Sequence, residues 1–149
     1  MPITIPAIHG LHHLKFAVAD LARSTAFYER VFGATRLSKF DHTRPDGTQF
    51  AVLLDVPGLG TLLELRLDAA AARAQAGFDP LSCAVATRAE LEAWKAHLQA
   101  LDVRHSPLLV GVVGWLLVFE DPDARRLRLY TAETHGPELM PSWDDPWVN

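Results

Sequence analysis

HLKFAVADLARSTAFYERVFG, residues 13–33, and PLSCAVATRAELEAWKAHLQA, residues 80–100, decide the fold of this chain. Laid on one another at an offset of 67 (80 − 13), they align Ala17-Val18-Ala19-Asp20 with Ala84-Val85-Ala86-Thr87. The same offset sets Phe27 on Trp94 and Val31 on Leu98. In the first copy Leu14, Phe16 and Val18 alternate with His13, Lys15 and Ala17, the period of a strand with one buried face. Asp20 can cap a helix, and Leu21, Phe27, Tyr28, Val31 and Phe32 follow at helical spacing until Gly33 ends the run. In the second copy Pro80–Ala86 reads as the strand, and Leu91, Trp94, Leu98 and Leu101 form the apolar stripe of a helix.

Outward from these stretches the pattern stays doubled. Thr35–Phe40, Phe50–Val56 and Thr61–Leu67 read as strands, separated by turns at Arg44-Pro45-Asp46-Gly47 and Pro57-Gly58. After the second helix, Val103–Ser106, Trp115–Glu120 and Arg126–Thr131 read as three more, the last two joined by a turn at Asp121–Ala124. An internal repeat outranks local propensity as a fold signal. The expected class is α+β: two tandem βαβββ modules forming a concave mixed sheet around a central pocket. The chain reads as a single domain over 1–149, with module 1 at 9–67, an alanine-rich connector at 68–78 able to form a short helix, module 2 at 79–132 and a tail at 133–149.

Composition narrows the function. A chain of 149 residues can bury one real core. A net charge of −4 and a pI near 5.9 leave no basic footprint, so no nucleic-acid partner is expected. No run reaches the roughly 20 apolar residues that span a bilayer; the longest, Leu108–Phe119, is interrupted by Gly111 and Gly114. Met1–His9 holds no charged stretch leading into an apolar run, so the protein is expected to be cytoplasmic, without a membrane partner. The single cysteine, Cys83, excludes an internal disulfide and a cysteine-based zinc site, and its apolar neighbours suit an inert buried thiol.

Parity locates the candidate site. Each sheet buries one face under its helix and leaves the other open. The open set is His13, Lys15, Leu62, Glu64, Arg66, Pro80, Ser82, Arg126, Arg128 and Tyr130, polar beside its partners Leu14, Phe16, Leu63, Leu65, Leu127 and Leu129. His13 and Glu64 are the candidate acid–base residues. Lys15, Ser82, Trp115, Arg126, Arg128 and Tyr130 are the candidate ligand-binding residues. Gly111–Gly114 is too short for a phosphate loop and suits a flexible loop over the cleft mouth.

His13, then Val18-Ala19-Asp20-Leu21, Arg23-Ser24, Phe27-Tyr28 and Gly33, resembles the opening motif of the vicinal oxygen chelate (VOC) superfamily, and Phe119-Glu120-Asp121-Pro122-Asp123 resembles its turn before the last strand. That superfamily includes glyoxalase I, extradiol dioxygenases and fosfomycin- and bleomycin-resistance proteins. The resemblance implies the glyoxalase/bleomycin-resistance/dioxygenase fold and commonly a homodimer, with pockets walled by modules of the same or of facing chains. It also implies metal-ligand positions at His13, Glu64, Pro80 and Arg128. Proline has no ligand atom there, and arginine is a permanent cation that repels a divalent metal.

Three readings follow. The first is a small-molecule-binding protein with a degenerate metal site, sequestering a ligand or converting it by acid–base chemistry without a metal cofactor. The second is a metal-dependent glyoxalase-like lyase, isomerase or dioxygenase, with Zn, Ni, Fe or Mn held by His13 and Glu64 and completed by another histidine such as His42 or His105. The third is a structural or regulatory dimer with a closed cleft. Glu64 and Arg128, at equivalent positions, would either pair with each other or leave Arg128 and Arg126 to bind a ligand carboxylate or phosphate.

Overall fold

The structure, a computed structural model, describes residues 1–148. The first module runs β1 (His13–Val18), α1 (Leu21–Phe32), β2 (Thr35–Arg36), β3 (His42–Thr43), β4 (Gln49–Asp55) and β5 (Leu62–Leu67). A short helix, α2 (Ala69–Ala74), fills the connector. The second module runs β6 (Ser82–Val85), α3 (Arg88–Ala100), β7 (Leu109–Val110), β8 (Gly114–Glu120) and β9 (Arg126–Thr134). The sheets are ordered β1-β5-β4-β2, with β3 also on β4, and β6-β9-β8-β7. In each, the first strand lies parallel to the last and the others are antiparallel. The two mixed sheets are those of the doubled module.

The repeat extends to the helix caps. The Asp20 side chain accepts from the Arg23 N–H at 2.9 Å, and that of Thr87, its equivalent, accepts from the Glu90 N–H at 3.2 Å. Each satisfies a backbone donor that the first helical turn leaves without a partner. Gly33 ends α1 with φ +67°, a left-handed conformation that carries no Cβ penalty for glycine.

One core joins the modules through their helix-bearing sides. Phe16, Val18, Leu63 and Leu65 of the first sheet pack in the same cluster as Leu117, Phe119, Leu127 and Leu129 of the second. The Phe32 ring lies 5.7 Å from Trp94 and 5.8 Å from Phe119, and His97 Nε2 lies 2.9 Å from the Val31 carbonyl. Arg125, fully buried, completes the joint. It donates to Asp121 Oδ2 at 2.6 Å and to the Ala17 carbonyl, and its guanidinium covers the Phe16 ring. The Tyr28 hydroxyl donates to the same Asp121 carboxylate at 2.9 Å. Burial pushes the Asp121 carboxyl up, offset in part by Arg125; burial, reinforced by Asp121, pushes the Tyr28 phenol well up.

Several elements depart from the sequence reading. Thr35–Phe40 forms a strand over two residues only, and Ser38–Phe40 coils into a 3-10 turn. Val103–Ser106 is not a strand. The Val103 N–H bonds back to the Leu98 carbonyl as α3 ends, with Asp102 in a left-handed conformation, and only His105 bridges to Phe119. The edge strand falls instead on β7, just before the stretch that the sequence suggested as a flexible loop. Gly111–Gly114 is pinned: the Val113 and Gly114 N–H groups donate to the Tyr130 hydroxyl, and a Cβ on Gly111 would collide with that hydroxyl.

Candidate functional site

The open face of the first sheet is built by strand register. His13 pairs with Leu62, Lys15 with Glu64 and Ala17 with Arg66 on β1 and β5, and Glu64 pairs with Leu53 and Arg66 with Ala51 on β4. Cross-strand partners share a face. His42 joins them because β3 sets it opposite Ala51. Four of these side chains converge on Glu64, which is 3% exposed. Its Oε2 accepts from Arg66 Nε at 3.1 Å and lies 3.7 Å from Lys15 Nζ. Its Oε1 lies 3.8 Å from His13 Nε2 and 4.0 Å from His42 Nε2. The other nitrogen of His13 meets His12 Nδ1 at 2.9 Å, which fixes the ring. Arg44 and Arg66 lie 4.8 and 5.1 Å from the centre of the Phe50 ring. Two cations and two imidazoles thus surround a single carboxylate. Lys15 keeps half its side chain in solvent, so part of this charge faces outward.

The donor set here is a poor one for a divalent ion: Lys15 and Arg66, two cations, occupy the second oxygen of the carboxylate that would have to bind it. Among the described residues no group of three His, Cys, Asp or Glu side chains is placed to hold a metal. At the two second-module positions that the resemblance implies, the chain has Pro80 and Arg128, neither of which is a metal ligand.

Glu64 and Arg128 do not pair. Arg128 Nε lies 2.5 Å from Asp79 Oδ2 as an ion pair outside hydrogen-bond alignment. Each takes partners from its own module instead: Glu64 from Lys15 and Arg66, Arg128 from Asp79. The cleft that does lie between the modules is apolar. It holds about 360 Å³, and its lining includes Leu14, Phe32, Leu81, Trp94, Leu129 and Ser82.

The open face of the second sheet carries Ser82, Arg128, Tyr130 and Arg126, as parity predicts. Tyr130 spends its hydroxyl on the Gly111–Gly114 backbone. Arg126 donates to the Pro146 carbonyl at 3.0 Å. Trp115 falls on the opposite side, against the shared core and 5.3 Å from the Arg88 guanidinium, so it is not brought to the open face. His105 Nδ1 lies 2.6 Å from the Ser106 carbonyl, in the second module. Burial pushes the Cys83 thiol up, away from nucleophilic reactivity. The sequence reading named His42 without placing it. Its position depends on a two-residue strand, for which alternation over longer strands gives no signal.

The family model of the Glyoxalase/Bleomycin resistance protein/Dioxygenase superfamily matches residues 10–129. The chain belongs to that superfamily. It is similar to metallothiol transferase FosB of Lysinibacillus sphaericus, 39% identical over 61 residues, which are 41% of this chain and 38% of that one; the match thus spans under two fifths of the relative's length. Its fold is similar to a glyoxylase/bleomycin resistance protein/dioxygenase domain from Frankia sp. EAN1pec (TM-score 0.65, 22% identity, covering 85% of this chain and 100% of that one). It is also similar to the fosfomycin resistance protein FosX of Listeria monocytogenes (0.64, 19%, 85% and 96%) and to TnmS3, an antibiotic binding protein from Streptomyces sp. CB03234 (0.65, 19%, 86% and 99%). At these identities the structural likenesses speak for the superfamily fold alone.

Proposed function

We propose that this superfamily member binds a small anionic molecule on the open face of its first module without a resident metal, and either sequesters it or converts it by acid–base chemistry. The observation that carries this reading is the surround of Glu64: Lys15 and Arg66 outnumber the one carboxylate, and two imidazoles face its other oxygen. Such a site favours a phosphonate, phosphate or carboxylate, which Lys15 and Arg66 can reach by charge-assisted hydrogen bonds. His13, oriented by His12 and facing Glu64, is the group placed to exchange a proton with a bound substrate. FosX has been solved with Mn(II) and a phosphonic acid, and the same fold carrying an anion supports the ligand class; the donor set here argues against the metal.

The opposite wall is assigned to a second copy. Within one chain Glu64 and Arg128, at equivalent positions of the two sheets, do not meet. β1 and β6 each end a sheet, leaving one strand edge unpaired within it. The segment preceding β1 carries Ile3, Ile5 and Ile8, each more than four-fifths exposed, an apolar arm suited to lie on another copy. We therefore assign the protein a homodimeric assembly in which the first module of one copy faces the second module of the other.

Calorimetric titration with methylphosphonate tests the reading. Binding is expected in wild-type protein and weakened about tenfold in Lys15→Ala or Arg66→Ala, the scale of one charge-assisted contact. Equal affinity in both variants would rule the face out as the site.

A further inference from the structure

The segment before β1 and the cleft between the modules are complementary. Pro2-Ile3-Thr4-Ile5-Pro6-Ala7-Ile8 forms no helix or strand, and its three isoleucines stand in solvent. In an extended chain, alternate residues turn their backbone N–H groups to opposite sides. Ile3, Ile5 and Ala7 turn theirs to one side, while Pro2 and Pro6, which have no N–H, fall on the other. The arm can therefore pair fully along one edge only, the pattern of an edge strand. In such a strand Ile3 and Ile5 share a face.

The cleft supplies the matching edge. β6 ends its sheet, with Ser82 in register opposite Arg128 of β9. The Leu81 carbonyl accepts from the Arg128 N–H at 3.3 Å, so the backbone groups of Leu81 and Cys83 turn toward β9 and those of Ser82 and Ala84 turn outward. Ser82 and Ala84 both line the apolar cleft, whose wall thus includes a strand edge that its own sheet leaves uncovered. Among the described residues that line the cleft none is charged, and residues 1–8 bring no charged side chain to it. The cleft and the arm therefore match in charge as well as in hydrogen-bonding edge.

We propose that this cleft seats the arm of a second copy, which adds a short strand to β6 and places Ile3 and Ile5 against Leu14, Phe32, Leu81 and Trp94. The chain bends at Gly10 (φ +89°), and its own isoleucines stay in solvent, free to reach another molecule. The exchange is reciprocal, so two copies close into a symmetric pair without leaving an edge for a third. This inference rests on the homodimeric reading above and deepens it by naming the seat through which each copy holds the other.

Cys83, the single cysteine, lines the cleft and reports on it. In Ile5→Cys, a short bismaleimide is expected to join position 5 to Cys83 between copies. Mixing isotope-labelled with unlabelled protein identifies such links by peptide pairs of mixed mass. In the full chain, Ile5→Asp is expected to weaken the dimer about tenfold in sedimentation and to speed alkylation of Cys83 by N-ethylmaleimide about tenfold, with thermal melting as the check on folding. Links from position 5 to Cys83 within one copy, or no such link, overturn the inference. A dimer that persists in Ile5→Asp with Cys83 alkylation unchanged also overturns it, and leaves the homodimeric reading standing. Wild-type protein that sediments as a monomer overturns both.

Discussion

At the residue scale, the chemistry turns on which charges surround which. Glu64 was legible from alternation along Thr61–Leu67, because a six-residue strand fixes which side chains share a face. The partner of Arg128 was not legible. Asp79 reaches it from the residues that lead into β6, a position that alternation along a strand does not fix. Arg125 was also invisible: nothing in its sequence neighbourhood distinguishes a buried arginine from a solvated one. Its burial makes a sharp expectation. Arg125→Met leaves Asp121 desolvated without its cation and should lower unfolding free energy by about 3–5 kcal/mol in a denaturant titration. Pairing it with Asp121→Leu should recover much of the loss. His135 supplies a pH expectation. Its two ring nitrogens lie 2.8 Å from the Gly136 and Gly111 carbonyls, which only accept, so both nitrogens must carry protons. These carbonyls, chiefly Gly136, raise its pKa above the ordinary histidine value. A raised folded pKa means the stabilisation is complete below the unfolded value and is lost as pH rises through the folded one. Amide exchange at residues 111–114, corrected for intrinsic rates, should therefore speed up as pH rises through and above the ordinary histidine range. His135→Gln should flatten that dependence.

At the element scale, the long strands and both helices follow from periodicity and caps, whereas the short edge elements do not. β2, β3 and β7 are two residues each, shorter than one alternation period can reveal. They are held by pairing to β4 and β8, a tertiary effect. The caps are local and testable one at a time. Thr87→Ala removes the acceptor for the Glu90 N–H and should cost about 1 kcal/mol in chemical denaturation. Asp20→Ala should cost a similar amount, and the equality would confirm that the repeat reaches the cap chemistry and not only the fold.

At the scale of the whole molecule, the doubled sequence implied two modules walling one pocket, and the two modules are there. What the repeat could not convey is their orientation. That depends on which large side chains, Phe32, Trp94 and Phe119 among them, fill the space between the helices. Their contact leaves Glu64 and Arg128 with different partners, so the pair weighed from the sequence does not form; the proposed reading draws the facing wall from another copy. Analytical ultracentrifugation should accordingly find a dimer, and removal of residues 1–9, with Ile3, Ile5 and Ile8, should weaken it. A monomer at working concentration would oppose the two-copy pocket. The central claim, a cationic site that binds an anion without a metal, is tested most directly by titrating methylphosphonate into protein stripped with chelator, with metal content measured on the same sample. The account predicts unchanged affinity and only trace metal, even after growth with Zn, Ni, Fe and Mn. Binding abolished by the chelator and restored by one equivalent of a divalent ion, with that ion lost in His13→Ala, would contradict it.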